Sequence, residues 1–581
     1  MSQKKMKELR RLEFVSKNVE ETKSEPVKGI RQIIKESWKF LLVVLGGIAL
    51  LYLNGMKGDF VSDDYASISQ NPTVTNFGAQ IKGLLASAIN WFLANIFGVK
   101  SSVPFHVFSL LLYLIVILVA FIFISILFEK KTAKLTIILF ALLPVHVEAV
   151  TWISGRPYLL NAFFVLVSLI AVILYSKTEN KKYLYSFLVL IIVSFLTEQT
   201  RFAAMPLLVI LYWISFENKL KKKVNLSKIV LIMSLIFLVL AAFLWSPLMN
   251  RINTVNAGYN GSDGIFYNPF FQYPTSIAKY LQLILVPTDL TLYHTMYILP
   301  VWLNWAIILT YLIGVGYFFF KDKRMFFALA FIFLAASPSM LPVKISWLVA
   351  ERYIFLGSLG FCLFLVLFFQ RFSKKWKIPI SIFMVLVAGF YAVRVFLRNI
   401  DWQTNHNLWV NTCQVSPNSH NAWNNIGDDY DKLAQLETTD EGKLNQYLNS
   451  VKGFTQSVMV KPNYADAYHN RANIFYKIGR YDLARDSYEI ALSYGPQLYQ
   501  SYFSLLQIDL TEKRYDLAMD HLNRLDKVKP NDIQVAYVAA VVYANMGRND
   551  QAIPILKEIL KVMPAFTDAK NLLDQLINYE K

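Results

Sequence analysis

Charged residues and cysteines are both scarce in this 581-residue sequence. Charged side chains make up 17% of the chain and hydrophobic ones 55%, whereas an ordinary soluble domain has about 25% charged residues. A wholly soluble protein is therefore excluded. The two cysteines, Cys362 and Cys413, are too few for a disulfide framework or a structural zinc site.

Acidic residues are scarce in the first two-thirds of the chain. The net charge is +18, and the excess of lysine and arginine lies in residues 1–402, because residues 403–581 contain more acidic than basic side chains. Membrane proteins concentrate lysine and arginine in their cytoplasmic loops. The positive charge therefore favours a membrane protein with a set orientation, and it argues against a nucleic-acid partner.

Apolar runs of about 20 residues, long enough to cross a bilayer, recur from Leu41 to Val395. We predict eleven spans and a cytoplasmic N-terminus, which places every lysine cluster between spans on the cytoplasmic side. The apolar stretch 275–286 is too short to cross and is interpreted as re-entrant or interfacial. The predicted spans are 38–54, 105–128, 133–149, 158–176, 183–197, 201–216, 228–246, 301–320, 325–342, 349–370 and 378–396.

The last 179 residues have a different pattern, with prolines that recur at a constant spacing. Pro462, Pro496, Pro530 and Pro564 are each 34 residues apart, which is the period of tetratricopeptide repeats. Small and aromatic residues recur at matching positions, as in Ala484, Ala518 and Ala552. The pattern predicts an α-solenoid, and such arrays bind peptides or partner proteins in a concave groove. A rigid spacer without a ligand is the alternative.

The organisation predicted from these patterns is all-α and has three parts. Residues 1–37 form a basic cytoplasmic tail, residues 38–402 a polytopic membrane domain, and residues 403–581 an extracytoplasmic repeat domain. An odd number of spans places the repeats on the side opposite to the N-terminus.

Ionisable residues near the predicted spans converge on the extracytoplasmic side of this topology. Such residues are costly at a membrane and are functional candidates by default. Arginine binds phosphate bidentately, and a carboxylate can take a proton from an attacking hydroxyl. The pattern suits a reaction between a lipid-linked anionic donor and a water-side acceptor. The residues are Asp59, Asp63, Asp64, His146, Glu148, Arg156, Glu198, Arg201, His294, Glu351, Arg352, Arg398 and Asp401.

Each of these patterns also has a structural interpretation. The Asp63–Asp64 pair is either catalytic or the start of a loop or helix, and with Glu148 it offers oxygen ligands for a divalent metal, although no spaced motif supports a metal site. Glu351 and Arg352 form either a salt-bridged helix cap or, through Arg352, a phosphate site. His146 with Glu148 also fits an interfacial helix end.

Four segments resemble one family of membrane proteins. They are residues 60–64 (FVSDD), residues 144–156 (PVHVEAVTWISGR), residues 350–362 (AERYIFLGSLGFC) and residues 398–402 (RNIDW). In this order, and followed by tetratricopeptide repeats, they resemble the transmembrane and tetratricopeptide-repeat proteins related to protein O-mannosyltransferases. Members of this family have a membrane part with the GT-C glycosyltransferase fold.

The resemblance implies transfer of a sugar from a polyprenyl phosphate carrier to a Ser or Thr hydroxyl of an extracytoplasmic protein, with the repeats binding the acceptor. It implies that Asp63 is the catalytic base beside Asp64. It also implies that Arg352, Arg156 and Arg201 contact the carrier phosphate. The supporting polar residues are His146, Glu148, Glu198 and Glu351. No cofactor other than the lipid-linked donor follows from the resemblance.

The sequence departs from the family pattern at three places. An Arg-Pro-Leu segment is not recognisable between Asn76 and Ser102, Thr197 stands before Glu198 where the family has lysine, and Pro157 follows Arg156 where the family has an acid. A non-catalytic scaffold that presents the repeats to partner proteins is therefore the alternative function. An oligosaccharide polymerase or ligase is disfavoured by the acidic pair. The abundance of Lys, Asn, Ile and Phe is typical of proteins from AT-rich bacterial genomes and therefore favours a bacterial inner membrane. If the source is eukaryotic, the expected membrane is that of the endoplasmic reticulum.

Overall fold

The structure, a computed structural model, describes residues 29–80, 84–197, 204–217, 249–250, 268–295, 299–340, 348–376 and 379–579. The regular elements in these ranges are all helices, which confirms the predicted all-α fold. The chain divides into two compact units. The first comprises Met1–Leu290 and Leu299–Thr404, and the second comprises Thr291–Ile298 and Asn405–Lys581.

The first unit contains the apolar helices. Six of its described helices are long and apolar enough to cross a membrane, and a bent pair could form a seventh span. Several of the predicted spans are thus present as helices, while the count of eleven stays a prediction because segments such as 228–246 lie outside the described residues. The α-helices of this unit are Ile30–Leu51, Phe77–Gln80, Leu84–Phe97, Val103–Leu127, Lys130–Leu142, Val147–Thr151, Arg156–Thr178, Lys181–Thr197, Ala204–Tyr212, Pro269–Leu285, Val301–Lys321, Lys323–Ala336, Ser358–Trp376 and Ile380–Asp401.

Two of the predicted spans are interrupted. The predicted span 133–149 bends by 57° at Pro144, because proline has no backbone N–H and disfavours a helical conformation in the residue before it. In the predicted span 349–370, the α-helix begins only at Ser358, after a 3-10 turn over Glu351–Ile354. These two interruptions provide the short turns on which the polar residues of the candidate site lie.

The second unit is an array of antiparallel helix pairs that confirms the repeats expected from the proline spacing. The alanines at 34-residue spacing, Ala484, Ala518 and Ala552, are fully buried where the helices of a pair meet. Both helices of the first repeat are longer than those of the next one: His420–Leu436 has 17 residues and Asp440–Val460 has 21, against 13 and 14. The helices are Asn405–Val415, His420–Leu436, Asp440–Val460, Ala465–Lys477, Tyr481–Tyr494, Tyr499–Thr511, Tyr515–Val528, Ile533–Asn545, Asn549–Val562 and Thr567–Tyr579.

The turn within each of three consecutive pairs uses the same left-handed conformation. Gly479 and Gly547 have φ of 74°, and Lys513, which lies midway between them at the 34-residue spacing, has φ of 58°. A side chain in this region clashes with the backbone, whereas glycine adopts it freely.

Lys513→Gly is therefore expected to stabilise the repeat unit by about 0.5–1 kcal/mol, because it removes the steric cost of the left-handed turn. Hydrogen exchange of the full chain, followed by mass spectrometry of peptides from 499–528, should show slower exchange than in wild type. Gly479→Lys is the matched reverse change and should speed exchange in 465–494. Unchanged exchange in both variants would contradict this account of the turn.

Candidate functional site

The acidic pair lies in a strained turn after the first helix. Ser62 has φ of 52°, an uncommon conformation for a residue with a side chain. Asp64 is fully buried and accepts hydrogen bonds from the backbone N–H of Ser154 at 2.9 Å, from the Ser154 hydroxyl, and from the backbone N–H of Val61 at 3.2 Å. Asp63 is exposed. The two carboxylates therefore have opposite environments, although they are adjacent in sequence.

The environment of Asp64 also changes its protonation. Burial raises the pKa of Asp64 to about 7, even though the hydrogen bonds from Ser154 and Val61 and the charge of Arg156 act in the other direction. Burial therefore favours the neutral, protonated form of Asp64 more than in an exposed aspartate. Of the two acids, the exposed Asp63 is the one that a hydroxyl from the water side can reach.

Glu148 and Arg352 form a buried ion pair between the two interrupted helices. Arg352 Nη1 donates to one carboxylate oxygen of Glu148, and the backbone N–H of Arg352 donates to the other at 2.8 Å. Arg352 Nε also donates to the hydroxyl of Tyr158 at 3.1 Å. The side chain of Glu148 is fully buried and that of Arg352 is 9% exposed. Glu148 therefore holds Arg352 in place from two directions.

Aromatic rings surround this arginine. The guanidinium carbon of Arg352 lies 5.2 Å from the ring centre of Trp152, 5.8 Å from that of Tyr158 and 5.0 Å from that of Tyr353. Trp152 in turn stacks on Trp402 at 5.7 Å. Contacts of this kind stabilise a cation through the ring quadrupole. Trp152 is itself buried beside the candidate phosphate-binding residue.

Glu351 and Arg352 do not form a salt bridge with each other, which corrects the interpretation of a salt-bridged cap. Glu351 instead accepts from Arg398 Nη2 at 3.0 Å, and both of these side chains are fully buried. Arg398 also donates to Asp401 at 3.1 Å. Adjacent residues in this turn point to different partners because a 3-10 turn separates consecutive side chains by about a third of a turn.

Arg156, the second arginine that the resemblance assigned to phosphate, is held by the protein itself. Its guanidinium donates to Asn90 Oδ1 at 2.7 Å, to Ser109 Oγ at 3.3 Å and to the carbonyl of Phe105 at 3.2 Å. Arg156 is 1% exposed, whereas Arg352 is 7% exposed. Arg352 is therefore the better placed of the two for an external phosphate.

His146 is fully buried. Its Nδ1 lies 2.8 Å from the hydroxyl of Tyr113, and its Nε2 lies 2.8 Å from the hydroxyl of Ser358. The rings of Phe140 and Phe355 pack against it at 4.6 and 4.4 Å. These contacts join three helical segments around the interrupted helix.

Two further site residues from the sequence, Glu198 and Arg201, lie outside the described residues. No group of three or more His, Cys, Asp and Glu residues that could hold a metal occurs in the ranges that the structure describes. The suggested ligand set of Asp63, Asp64 and Glu148 is not assembled, because Asp64 bonds to Ser154 and Glu148 to Arg352.

Sequence reasoning missed the residues that hold the charged groups in position. Ser154, Tyr158 and Asn90 bond to Asp64, Arg352 and Arg156 respectively. Ser154 lies 90 positions from Asp64, and Tyr158 lies 194 positions from Arg352. No local spacing signals such contacts, although Ser154 and Asp64 both fall in the segments that carry the family resemblance.

The repeat unit has a pocket of about 290 Å³ on its helix pairs, lined by both polar and apolar side chains. Asn470 Nδ2 donates to Asn424 Oδ1 at 3.1 Å, and Asn473 Oδ1 accepts from the hydroxyl of Tyr488 at 2.5 Å. Lys477 pairs with Asp431 at 2.7 Å. Amide side chains both donate and accept hydrogen bonds, so this lining suits the backbone of an extended peptide.

Known proteins are similar to this chain both in the repeats and in the residues that precede them. Residues 465–498 and residues 509–576 each match a family described as tetratricopeptide repeat. Protein O-mannosyl-transferase TMTC3 of Mus musculus is 22% identical over 92% of this chain and 61% of its own length. Protein O-mannosyl-transferase F38B6.6 of Caenorhabditis elegans is 25% identical over 67% of this chain and 59% of its own length.

The chain is similar to protein O-mannosyl-transferases over most of its length. The resemblance expected from the four segments is thereby confirmed as sequence similarity, and the chain spans about three-fifths of the length of these curated relatives. Among solved structures, the crystal structure of YrrB, a TPR protein with an unusual peptide-binding site, matches at 14% identity. The match covers 35% of this chain and 96% of that one, with a TM-score of 0.24.

Proposed function

We propose that this chain is a membrane glycosyltransferase that moves a sugar from a polyprenyl-phosphate donor to Ser or Thr hydroxyls of extracytoplasmic proteins. The observation that carries the proposal is the exposed Asp63 beside the buried and hydrogen-bonded Asp64. Similarity to protein O-mannosyl-transferases supports the type of reaction. We also propose that the membrane part has the GT-C fold and that the transferred sugar is mannose.

In the proposed reaction, Asp63 accepts the proton of the acceptor hydroxyl as its oxygen bonds to the anomeric carbon of the sugar. The bond between that carbon and the phosphate oxygen breaks, and the phosphate leaves with the electron pair. Asp64 positions the turn through its bonds to Ser154. Arg352, oriented by Glu148 and Tyr158, binds the phosphate and stabilises its negative charge.

The proposed topology follows from the lysine distribution. The N-terminus faces the cytoplasm, and the acidic turn and the repeats face the opposite side, where an exported acceptor is present. The repeat pocket around Asn470 and Asn473 would bind the acceptor polypeptide. The proposed membrane is the bacterial inner membrane, or the endoplasmic reticulum membrane in a eukaryote.

Asp63→Asn is expected to reduce transfer by about 10²–10⁴-fold, because the amide cannot accept the proton of the hydroxyl. Glycopeptide mass spectrometry of extracytoplasmic proteins measures this in cells that lack the gene and carry either the wild-type or the variant chain. Asp59→Asn, a change of another exposed acid in the same loop, is the matched control and should restore the glycan. Full restoration by Asp63→Asn would remove Asp63 from the role of base.

A non-catalytic scaffold is the second candidate function, and one observation favours it. The three arginines of the polar face that the structure describes around the two interrupted helices, Arg156, Arg352 and Arg398, all bond to the protein's own groups. If the chain is a scaffold, Asp63→Asn should still bind partner proteins, whereas changes of Asn470 and Asn473 should abolish that binding. Co-purification of partner proteins with tagged chains of each kind separates the two functions.

A further inference from the structure

The helix Pro269–Leu285, interpreted from the sequence as re-entrant or interfacial, carries a buried polar face. Gln272, Thr275, Ser276 and Lys279 recur at intervals of three and four residues, so they lie on one side of the helix. Their exposed fractions are only 3%, 2%, 2% and 9%. Thr275 accepts a hydrogen bond from Asn304 at 3.4 Å, and Ser276 donates to the carbonyl of Gln272 at 2.8 Å. An ionisable residue on such an inward face of a membrane protein is a functional candidate by default.

Lys279 is the charged residue of this face, and its ion pair with Asp289 is a long one. Its Nζ lies 3.9 Å from Asp289 Oδ2, which is too far for a hydrogen bond. The Asp289 carboxylate is itself half exposed and accepts from Gln282 and Thr288, each at 3.0 Å. Among the residues that the structure describes, none accepts a hydrogen bond from the Lys279 ammonium. Binding an anion there would offset the cost of burying the charge.

The position of Lys279 connects it to the candidate site. The next residue, Tyr280, accepts a hydrogen bond from the backbone N–H of Ala350 at 3.4 Å. Ala350 directly precedes the turn that carries Glu351 and Arg352. Burial lowers the pKa of Lys279, and the negative charges of Asp289 and Glu351 act in the opposite direction. A nearby phosphate would favour the charged form in the same way as these carboxylates.

We propose that Lys279 binds the phosphate of the lipid-linked donor beside the turn that carries Arg352. This inference rests on the proposed function and adds a phosphate-binding residue that the sequence did not single out. Lysine supplies three donors on a flexible stem, which suits a phosphate that must enter and leave.

Binding of a polyprenyl monophosphate to the full chain in lipid nanodiscs, followed by native mass spectrometry, tests this inference without requiring transfer. Lys279→Met is expected to weaken binding about ten-fold or more, since bonds to charged groups are strong. Lys279→Arg, which keeps the charge, should restore most of it. Equal binding by wild type and Lys279→Met would overturn the inference.

Two controls separate phosphate binding from a structural role. Asp289→Asn removes the distant carboxylate and should leave lipid binding intact. If Asp289→Asn and Lys279→Met instead lose the same thermal stability and both bind the lipid as wild type does, Lys279 is only an ion-pair partner of Asp289. Inorganic phosphate at millimolar concentration should not displace the lipid. Displacement that disappears in Lys279→Met would identify free phosphate as the ligand and overturn the donor assignment.

The same assay distinguishes failure of this inference from failure of the proposed function. Asp63→Asn should bind polyprenyl monophosphate as wild type does, since it lacks only the base. A wild-type chain that binds the lipid through Lys279 but transfers no sugar supports the phosphate site and contradicts the transferase. A chain that transfers sugar but binds the lipid equally well after Lys279→Met contradicts the phosphate site alone.

Discussion

Replacing Glu148 with alanine is expected to lower the free energy of unfolding by about 3–5 kcal/mol, because the change leaves Arg352 as a buried charge without its counter-ion. Glu148 is fully buried, and it bonds to both the side chain and the backbone of Arg352. Thermal unfolding of the full chain in detergent measures the loss. Transfer should fall as well, since Arg352 would no longer be held in place.

The double variant Glu148→Leu with Arg352→Met is the control for this prediction. Replacing a buried ion pair with apolar residues of similar volume is often neutral or stabilising, so the double variant should recover much of the lost stability. It should still lack transfer, because no cation remains for the phosphate. A double variant less stable than Glu148→Ala alone would show that the pair itself, rather than the unpaired charge, dominates the energetics.

Gly155→Ala is expected to reduce transfer about 100-fold, because a small displacement of a catalytic group has an effect of this size. A Cβ at Gly155 would lie 2.6 Å from the carbonyl oxygen of Glu148 and 3.0 Å from the Cα of Ala149. Both are backbone atoms, so the turn itself must move. The adjacent Ser154 holds Asp64 and would carry it away from its present position. Glycopeptide mass spectrometry in complemented cells measures the effect.

Gly314→Ala is the matched control, since a Cβ at Gly314 meets nothing within 4 Å. Because Gly314 lies inside the helix Val301–Lys321, alanine there should be neutral or slightly stabilising. If Gly155→Ala transfers sugar as well as Gly314→Ala does, the turn at 153–155 is not what positions Asp64.

Short-range patterns were enough to predict much of the architecture. Apolar runs predict membrane helices because burying each backbone polar group in lipid requires a helix. The 34-residue spacing from Pro462 to Pro564 predicts the helix pairs because every repeat packs on its neighbour in the same way. Where proline or a turn interrupts an apolar run, as at Pro144 and before Ser358, the predicted spans were wrong to continue as one straight helix.

The pairing of the charged groups needed the tertiary structure. The sequence by itself predicts that acids and arginines collect at one end of the spans, from the order of the apolar runs and the residues that follow them, and this topology stays a prediction. Only the fold decided that Asp64 is buried against Ser154 while Asp63 is exposed, that Glu148 holds Arg352, and that Lys279 is buried without a hydrogen bond among the described residues. These contacts join positions far apart in the chain, and their energies depend on burial and distance, which no local spacing encodes.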